Sequence, residues 1–215
     1  MILKMIRVFV LKEQATNCYI IEDEISKETL VIDPGGEVNK ITDVLNSLSA
    51  KLKYIFLTHC HADHAYGVNA LRLQNDATVL IHRADYESIN KDSVNLSTYI
   101  GLNEMHINNI MRVDEHDIIH VGDIELEVIH TPGHTKGSSS LYCKEKKMVF
   151  TGDAMFRGTW GRTDLPTGNM EEIMDSIMEK LLKLPDDTIV YPGHGKSTMI
   201  REERPIYEDL SPRID

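Results

Sequence analysis

The stretch that most constrains this chain is Thr58-His59-Cys60-His61-Ala62-Asp63-His64, with three imidazoles and a carboxylate within six residues. It follows the apolar run Tyr54-Ile55-Phe56-Leu57, which reads as a buried strand. Any fold the chain adopts must therefore present this loop at a strand end, open to ligands arriving from elsewhere. In an extended loop, side chains at i and i+2 point one way and i+1 the other. His59 and His61 then share a face, and Cys60 turns away from it.

The rest of the composition narrows what such a loop can serve. The chain has 215 residues, enough for one sizeable core, and is expected to form a single domain over 1–215. It carries 23 Lys+Arg against 34 Asp+Glu, a net charge of −11. An acidic chain without a basic run repels nucleic-acid phosphate, so a nucleic-acid partner is not expected. Bound cations would offset part of the charge. No apolar run reaches the roughly 18 residues of a membrane span. Residues 1–11 are broken by Lys4 and Arg7 and read as a first strand, not a signal peptide. The three cysteines, Cys18, Cys60 and Cys143, form no C-x-x-C pair and fit a reducing, cytoplasmic setting.

Periodicity predicts strands over 1–11, 17–22 and 29–33, the last stopped by Asp33-Pro34-Gly35-Gly36. Val38, Ile41, Val44, Leu45 and Leu48 recur at helical spacing, and a strand over 52–57 delivers the histidine loop. A helix over 65–73, a strand over 78–81 and a helix from Arg83 are expected next. Residues 91–112 read as an irregular excursion over the site. Hairpins are predicted over 117–130 and 138–151, then a Gly- and Arg-rich loop over 156–169. A helix over 170–182, a strand over 187–191 and a closing helix over 198–208 complete the chain. Each half thus gives strands, a helix and a strand.

Three further turns share one property with the opening loop: a β-rich run stops, a glycine bends the backbone, and a ligand type follows. They present His134 after Pro132-Gly133, Asp153 after Thr151-Gly152, and His194 after Pro192-Gly193. A single Pro-Gly-His is an ordinary turn; four such strand ends in order are not. Five imidazoles and two carboxylates suit borderline divalent ions such as zinc, iron or manganese.

The pattern His-x-His-x-Asp-His, followed by a His, an Asp and a last His, resembles the metallo-β-lactamase fold hydrolases. The resemblance implies an α/β, four-layer αββα sandwich of two mixed sheets flanked by helices. It implies that His59, His61 and His134 bind one metal, that Asp63, His64 and His194 bind a second, and that Asp153 bridges them. Asp33 would be the carboxylate that orients a ligand histidine. Two divalent ions, zinc first among them, would favour a bridging hydroxide as nucleophile, with Asp63 and Asp153 the catalytic carboxylates. The segment Gly152 to Pro166, with Gly161-Arg162-Thr163-Asp164, looks like the glyoxalase II (hydroxyacylglutathione hydrolase) branch. Asn17-Cys18-Tyr19 and the tail Pro192-Gly193-His194-Gly195 agree. The implied reaction is hydrolysis of a small thioester, with Arg162 and Lys196 as candidate substrate contacts. Longer members bind glutathione through a helical C-terminal extension; here 21 residues follow His194, so another thiol carrier is admitted. The alternative is a persulfide dioxygenase with one non-haem iron on His59, His134 and Asp153, since those enzymes share the fold and the Thr-His-Cys-His-Ala-Asp-His loop. A lactonase would use the same dinuclear site.

Overall fold

The computed structural model describes residues 3–10 and 15–210. Two six-stranded sheets stack face to face, each covered outside by helices. The first sheet runs in order β1 (Leu3–Val10), β2 (Thr16–Asp23), β3 (Glu28–Ile32), β4 (Lys51–Leu57), β5 (Thr78–His82) and β6 (Ile110–Val113). Its first three strands are antiparallel and β3 to β6 are parallel. Parallel neighbours need crossovers: α1 (Val38–Leu48) joins β3 to β4, and α2 (Ala62–Ala65) with α3 (Val68–Arg72) joins β4 to β5.

The second sheet has β7 (Ile118–Val121), β8 (Ile124–His130), β9 (Ser139–Cys143), β10 (Met148–Gly152), β13 (Ile189–Pro192) and β14 (Thr198–Met199). Only β10 and β13 pair in parallel. A small hairpin, β11 (Met155–Phe156) with β12 (Thr159–Trp160), stands apart.

The layering follows from strand alternation. Leu30, Ile32, Phe56 and Leu80 face the second sheet and pack with Leu126, Val128, Leu141 and Phe150. Their neighbours Val31, Ile55, Leu57, Val79 and Ile81 point the other way, onto Ile41, Leu45, Val68 and Leu71 of the helices. Buried on both faces, these strands read as continuous apolar runs, as parallel strands do. Behind the second sheet, Val149 and Val190 meet Ile173, Ile177, Leu181, Ile200 and Tyr207. This is the expected αββα sandwich. No helix among the described residues is long and apolar enough to cross a membrane.

The structure departs from the sequence reading in several elements. The helix expected over 65–73 is split: α2 starts inside the histidine loop at Ala62, and Gly67 interrupts it because its amide donates to Pro34 O at 2.8 Å. The helix expected from Arg83 is a run of turns to residue 90, followed by the one-turn α4 (Asp92–Asn95). The excursion over 91–112 contains β6, an edge strand that buries Val113 while Met111 and Arg112 stay exposed, which leaves no periodic signal. The helix expected over 170–182 is regular only in α5 (Met170–Asp175). It widens to π geometry at Ser176–Lys180, where Ser176 Oγ donates to Pro132 O, and tightens to 3₁₀ at Leu181–Lys183. The closing helix α6 (Ile200–Leu210) begins two residues late because Thr198 and Met199 pair with β13. Residues 1, 2 and 11 of the first predicted strand lie outside the described residues.

Candidate metal centre

The loops after β4, β8, β10 and β13 converge at one edge of the sandwich and bring His59, His61, Asp63, His64, His134, Asp153 and His194 together. Their donor atoms fall into three groups, His59/His61/His134, His59/His64/Asp153 and Asp63/His64/His194, each within 4.8 Å. Two glycines make the approach possible. Gly152 has φ of +50°, and a Cβ there would lie 2.3 Å from Thr58 Oγ1. A Cβ on Gly193 would lie 2.2 Å from Asp153 Oδ1.

Asp33 sets the tautomers. It ends β3 with φ of +53°, and its Oδ1 accepts from Thr58 N at 2.8 Å. Its Oδ2 accepts from Thr58 Oγ1 at 2.7 Å and lies 2.9 Å from His64 Nδ1. A carboxylate only accepts, so His64 keeps a proton on Nδ1 and turns Nε2 inward. Thr58 spends its own proton on Asp33, so its oxygen accepts from His59 Nδ1 at 3.1 Å, which leaves His59 Nε2 as a lone pair. His134 Nδ1 donates to Arg162 O at 2.7 Å, again freeing Nε2. Three imidazoles are thus held by second partners with Nε2 turned to the donor group, His59 and His134 with it as a lone pair.

The donor spacings fit ions. His61 Nδ1 and His134 Nε2 face each other at 2.9 Å, and His64 Nε2 and His194 Nε2 at 3.3 Å. Asp153 lies between the groups, with Oδ1 3.4 Å from His64 Nε2 and Oδ2 3.6 Å from His134 Nε2 and 3.4 Å from His194 Nε2. Asp63 Oδ2 is 3.4 Å from His194 Nε2. Donors about 2.0–2.1 Å from a tetrahedral ion stand roughly 3.3–3.4 Å apart. Among the donors, His59 Nε2 and Asp153 Oδ1 are buried without hydrogen-bond partners. Each such atom costs about 1–3 kcal/mol if nothing meets it, so the donor set fits cations at this place.

The charges divide the site. Burial, then the neighbouring imidazoles His64, His61 and His134, hold His59 well below its ordinary range. Burial and His134 push His61 down to about 3. Burial also opposes protonation of His64, but Asp153, Asp63 and Asp33 outweigh it and raise the ring to about 9. His194, likewise buried but faced by Asp153 and Asp63, rises to about 11. Burial would raise Asp63 and Asp153, yet His64 and His194 hold both below the usual carboxylate range.

Above these groups opens a cleft of about 360 Å³. Leu96, Tyr99 and Ile100 form one wall, and Phe156, Arg162 and Leu165 the other. Residues 91–112 thus contribute a wall of the cleft. Arg162 lines it, but its guanidinium makes a two-fold ion pair with Asp164, 2.7 Å on each arm. Lys196 is exposed and is not part of the cleft wall. Cys60 is buried with its side chain toward Asp85, not among the donors. Of the remaining histidines, His82 stacks on His130 with centroids 3.9 Å apart, and neither belongs to a donor group among the described residues.

The sequence reading singles out Asn17-Cys18-Tyr19 without a role and passes over Asp85; the structure shows that Asn17, Tyr19 and Asp85 hold the loops. Asn17 on β2 donates through Nδ2 to Pro192 O at 2.9 Å and Gly195 O at 3.1 Å, on either side of His194. Tyr19 OH donates to Pro192 O at 2.7 Å. Asp85, just past β5, accepts from Cys60, Thr135 and Gly137. Its signal was available, because it is a carboxylate just beyond a parallel strand, as Asp33 is.

Known proteins resemble this chain in sequence and fold. The chain is similar to the "Probable metallo-hydrolase YqgX" of Bacillus subtilis, 36% identical over 192 residues covering 89% of this chain and 90% of the relative. It is similar to the hydroxyacylglutathione hydrolase GloC of Haemophilus influenzae, 35% identical over 87% of this chain and 89% of that one. Among solved structures it matches the BLEG-1 B3 metallo-beta-lactamase at TM-score 0.85 and 30% identity, covering 94% of this chain and 97% of the other. TTHA1623 in a di-iron-bound form matches at 0.80 and 31%, covering 93% and 96%. ETHE1 from Myxococcus xanthus matches at 0.77 and 31%, covering 100% and 92%. The family description for this fold matches residues 11–194, which contain every one of the converging side chains. With that span matched and the histidine–aspartate cluster at the sandwich edge, the chain belongs to the metallo-beta-lactamase superfamily.

Proposed function

We propose that the chain is a dinuclear metal-dependent hydrolase of a small thioester. The observation that carries this reading is that both donor groups are complete: the donor atoms of Asp63, His64 and His194, like those of His59, His61 and His134, lie within 4.8 Å of one another. His59, His61 and His134 would hold one divalent ion, Asp63, His64 and His194 the other, and Asp153 would be shared. Zinc is the first choice for these ligands, with iron or manganese also suited. Such ions, when bound, supply Lewis acidity and a nucleophile from water at neutral pH.

The chain's own residues do the rest. Asp33, directly and through Thr58, keeps His64 and His59 in the binding tautomer. Asp63, partly exposed where it lines the cleft, would orient the attacking water. Leu96, Ile100, Phe156 and Leu165 offer an apolar berth for an acyl chain and exclude water from it. Arg162 would meet an anionic group of the thiol carrier only by sharing its pair with Asp164. A thiolate leaves without a strong general acid, because thiol pKa values lie near 8.5. The similarity to GloC supports this reading. Three free cysteines fit a cytoplasmic setting.

A second reading is a persulfide dioxygenase with one iron on His59, His134 and Asp153; the closeness of Asp153 to His59 and, at 3.6 Å, to His134 Nε2 favours it. Turnover separates the two. The proposal expects release of free thiol from S-lactoylglutathione or a short acyl thioester, with no oxygen uptake on glutathione persulfide. Oxygen uptake with persulfide and no thioester cleavage would replace it with the second reading.

A further inference from the structure

We propose that Asp85 is a positioning residue for the half-site of His59, His61 and His134, its carboxylate fixing the two loops that carry these ligands. This rests on the reading that those three side chains hold a metal ion. Asp85 is fully buried in the turns after β5 and touches none of the donor atoms. Its Oδ2 accepts from Cys60 N at 3.0 Å and from Thr135 Oγ1 at 2.6 Å. Its Oδ1 accepts from Gly137 N at 2.9 Å. Cys60 stands between His59 and His61, and Thr135 directly follows His134. One side chain therefore spans the loop after β4 and the loop after β8, from a third segment that carries no ligand.

The packing around the carboxylate is as specific as its hydrogen bonds. A Cβ on Gly137 would lie 2.4 Å from Asp85 N and 2.6 Å from its Cγ, so this backbone is pressed onto Asp85. Ser138 Oγ completes the turn, accepting from Thr135 N at 3.0 Å and lying 2.9 Å from Thr135 Oγ1. The chemistry calls for a carboxylate and not an amide. The groups at its two oxygens include two backbone N–H donors, Cys60 on one and Gly137 on the other. An asparagine has one acceptor oxygen, so in either orientation its NH₂ would oppose one of these N–H groups. The opposed amide would turn away, and a loop carrying a ligand would turn with it. Outer partners of metal ligands of this kind typically matter about 10–100-fold in affinity.

The test is zinc retention against a chromophoric chelator, on chains purified with metal bound. The wild type is compared with Asp85→Asn, and the comparison is repeated in a His64→Ala background so that the first half-site reports alone. Leu45→Ala, in the core under α1, serves as a control for lost stability. The expected result is zinc bound about 10–100-fold more weakly by Asp85→Asn, with Leu45→Ala retaining wild-type affinity despite a lower thermal midpoint. Should Asp85→Asn not fold, Thr135→Val removes one of the three bonds and is expected to weaken zinc binding in the same direction by less. Wild-type affinity in the Asp85 and Thr135 variants, or an equal loss in Leu45→Ala, overturns the positioning role and leaves the metal reading standing. A wild-type chain that takes up no zinc, iron or manganese overturns both.

Discussion

Two half-sites share Asp153 but are built on opposite terms. His59, His61 and His134 are sealed, none more than 4% exposed, and their surroundings keep His59 and His61 neutral. In the other half, the Asp63 and His194 side chains are 21% and 27% exposed at the cleft floor, and carboxylates hold His64 and His194 as cations. The first is a preformed set of lone pairs. The second, while it holds no metal, is a set of ion pairs whose protons a divalent ion must displace. The same residue types thus give one set of neutral donors and one set of ion pairs, and members of both line the cleft. The difference comes from neighbours: Asp63 and Asp33 act on His64 in addition to Asp153. The expected division of labour is that the more buried, sealed half would anchor an ion and the more exposed, open half would meet substrate.

The largest expected effect comes from deleting a ligand in the open half only. His64→Ala should leave the sealed donors intact and still lower thioester hydrolysis by about 10³-fold, the rate equivalent of the several kcal/mol a second Lewis acid supplies. Near wild-type turnover by this variant would end the division of labour between the halves.

Acid and base should then separate the halves in the metal-free, chelator-treated chain. His61 sits at about 3 against an ordinary 6.5. A lowered pKa contributes stability above pH 6.5 that is lost as pH falls below it. His64 sits at about 9, so its contribution is complete below pH 6.5 and is lost as pH rises through 9. The thermal midpoint of His61→Gln should therefore approach the wild-type value as pH falls, and that of His64→Gln as pH rises. Differences that drift the same way in both variants would mean the halves are electrostatically alike.

The smallest effect is expected at the rim. Arg162 is exposed and already paired with Asp164, and such pairs contribute little. Arg162→Ala should change kcat/KM for a neutral acyl thioester less than about fivefold. A larger loss would give the open half a dedicated anion contact that the comparison does not contain.

Much of this contrast could be read from the chain, and the reason is local. Each converging side chain follows a strand and a bending residue, so His134, Asp153 and His194 announce themselves beside the opening loop, and Asp33 does so by ending β3. The sandwich was implied by the resemblance, and its strands β3, β4 and β5 were legible because they are apolar on both faces. What was not legible depends on distant pairs. Asp85 reaches Thr135 across 50 positions, and Asn17 reaches Pro192 across 175. No spacing rule connects them. Nor does periodicity reveal β6, which buries little besides Val113 and exists because β5 offers it a free edge. The run of turns after Arg83 defeats helix propensity because it places Asp85 beneath two loops at once.

The central claim is that both halves hold metal. Titrating the metal-free chain with zinc under equilibrium chelator competition tests it most directly. The account predicts two ions per chain, the second lost in His64→Ala while the first remains. One ion per chain in the wild type, with affinity unchanged by His64→Ala, would contradict it.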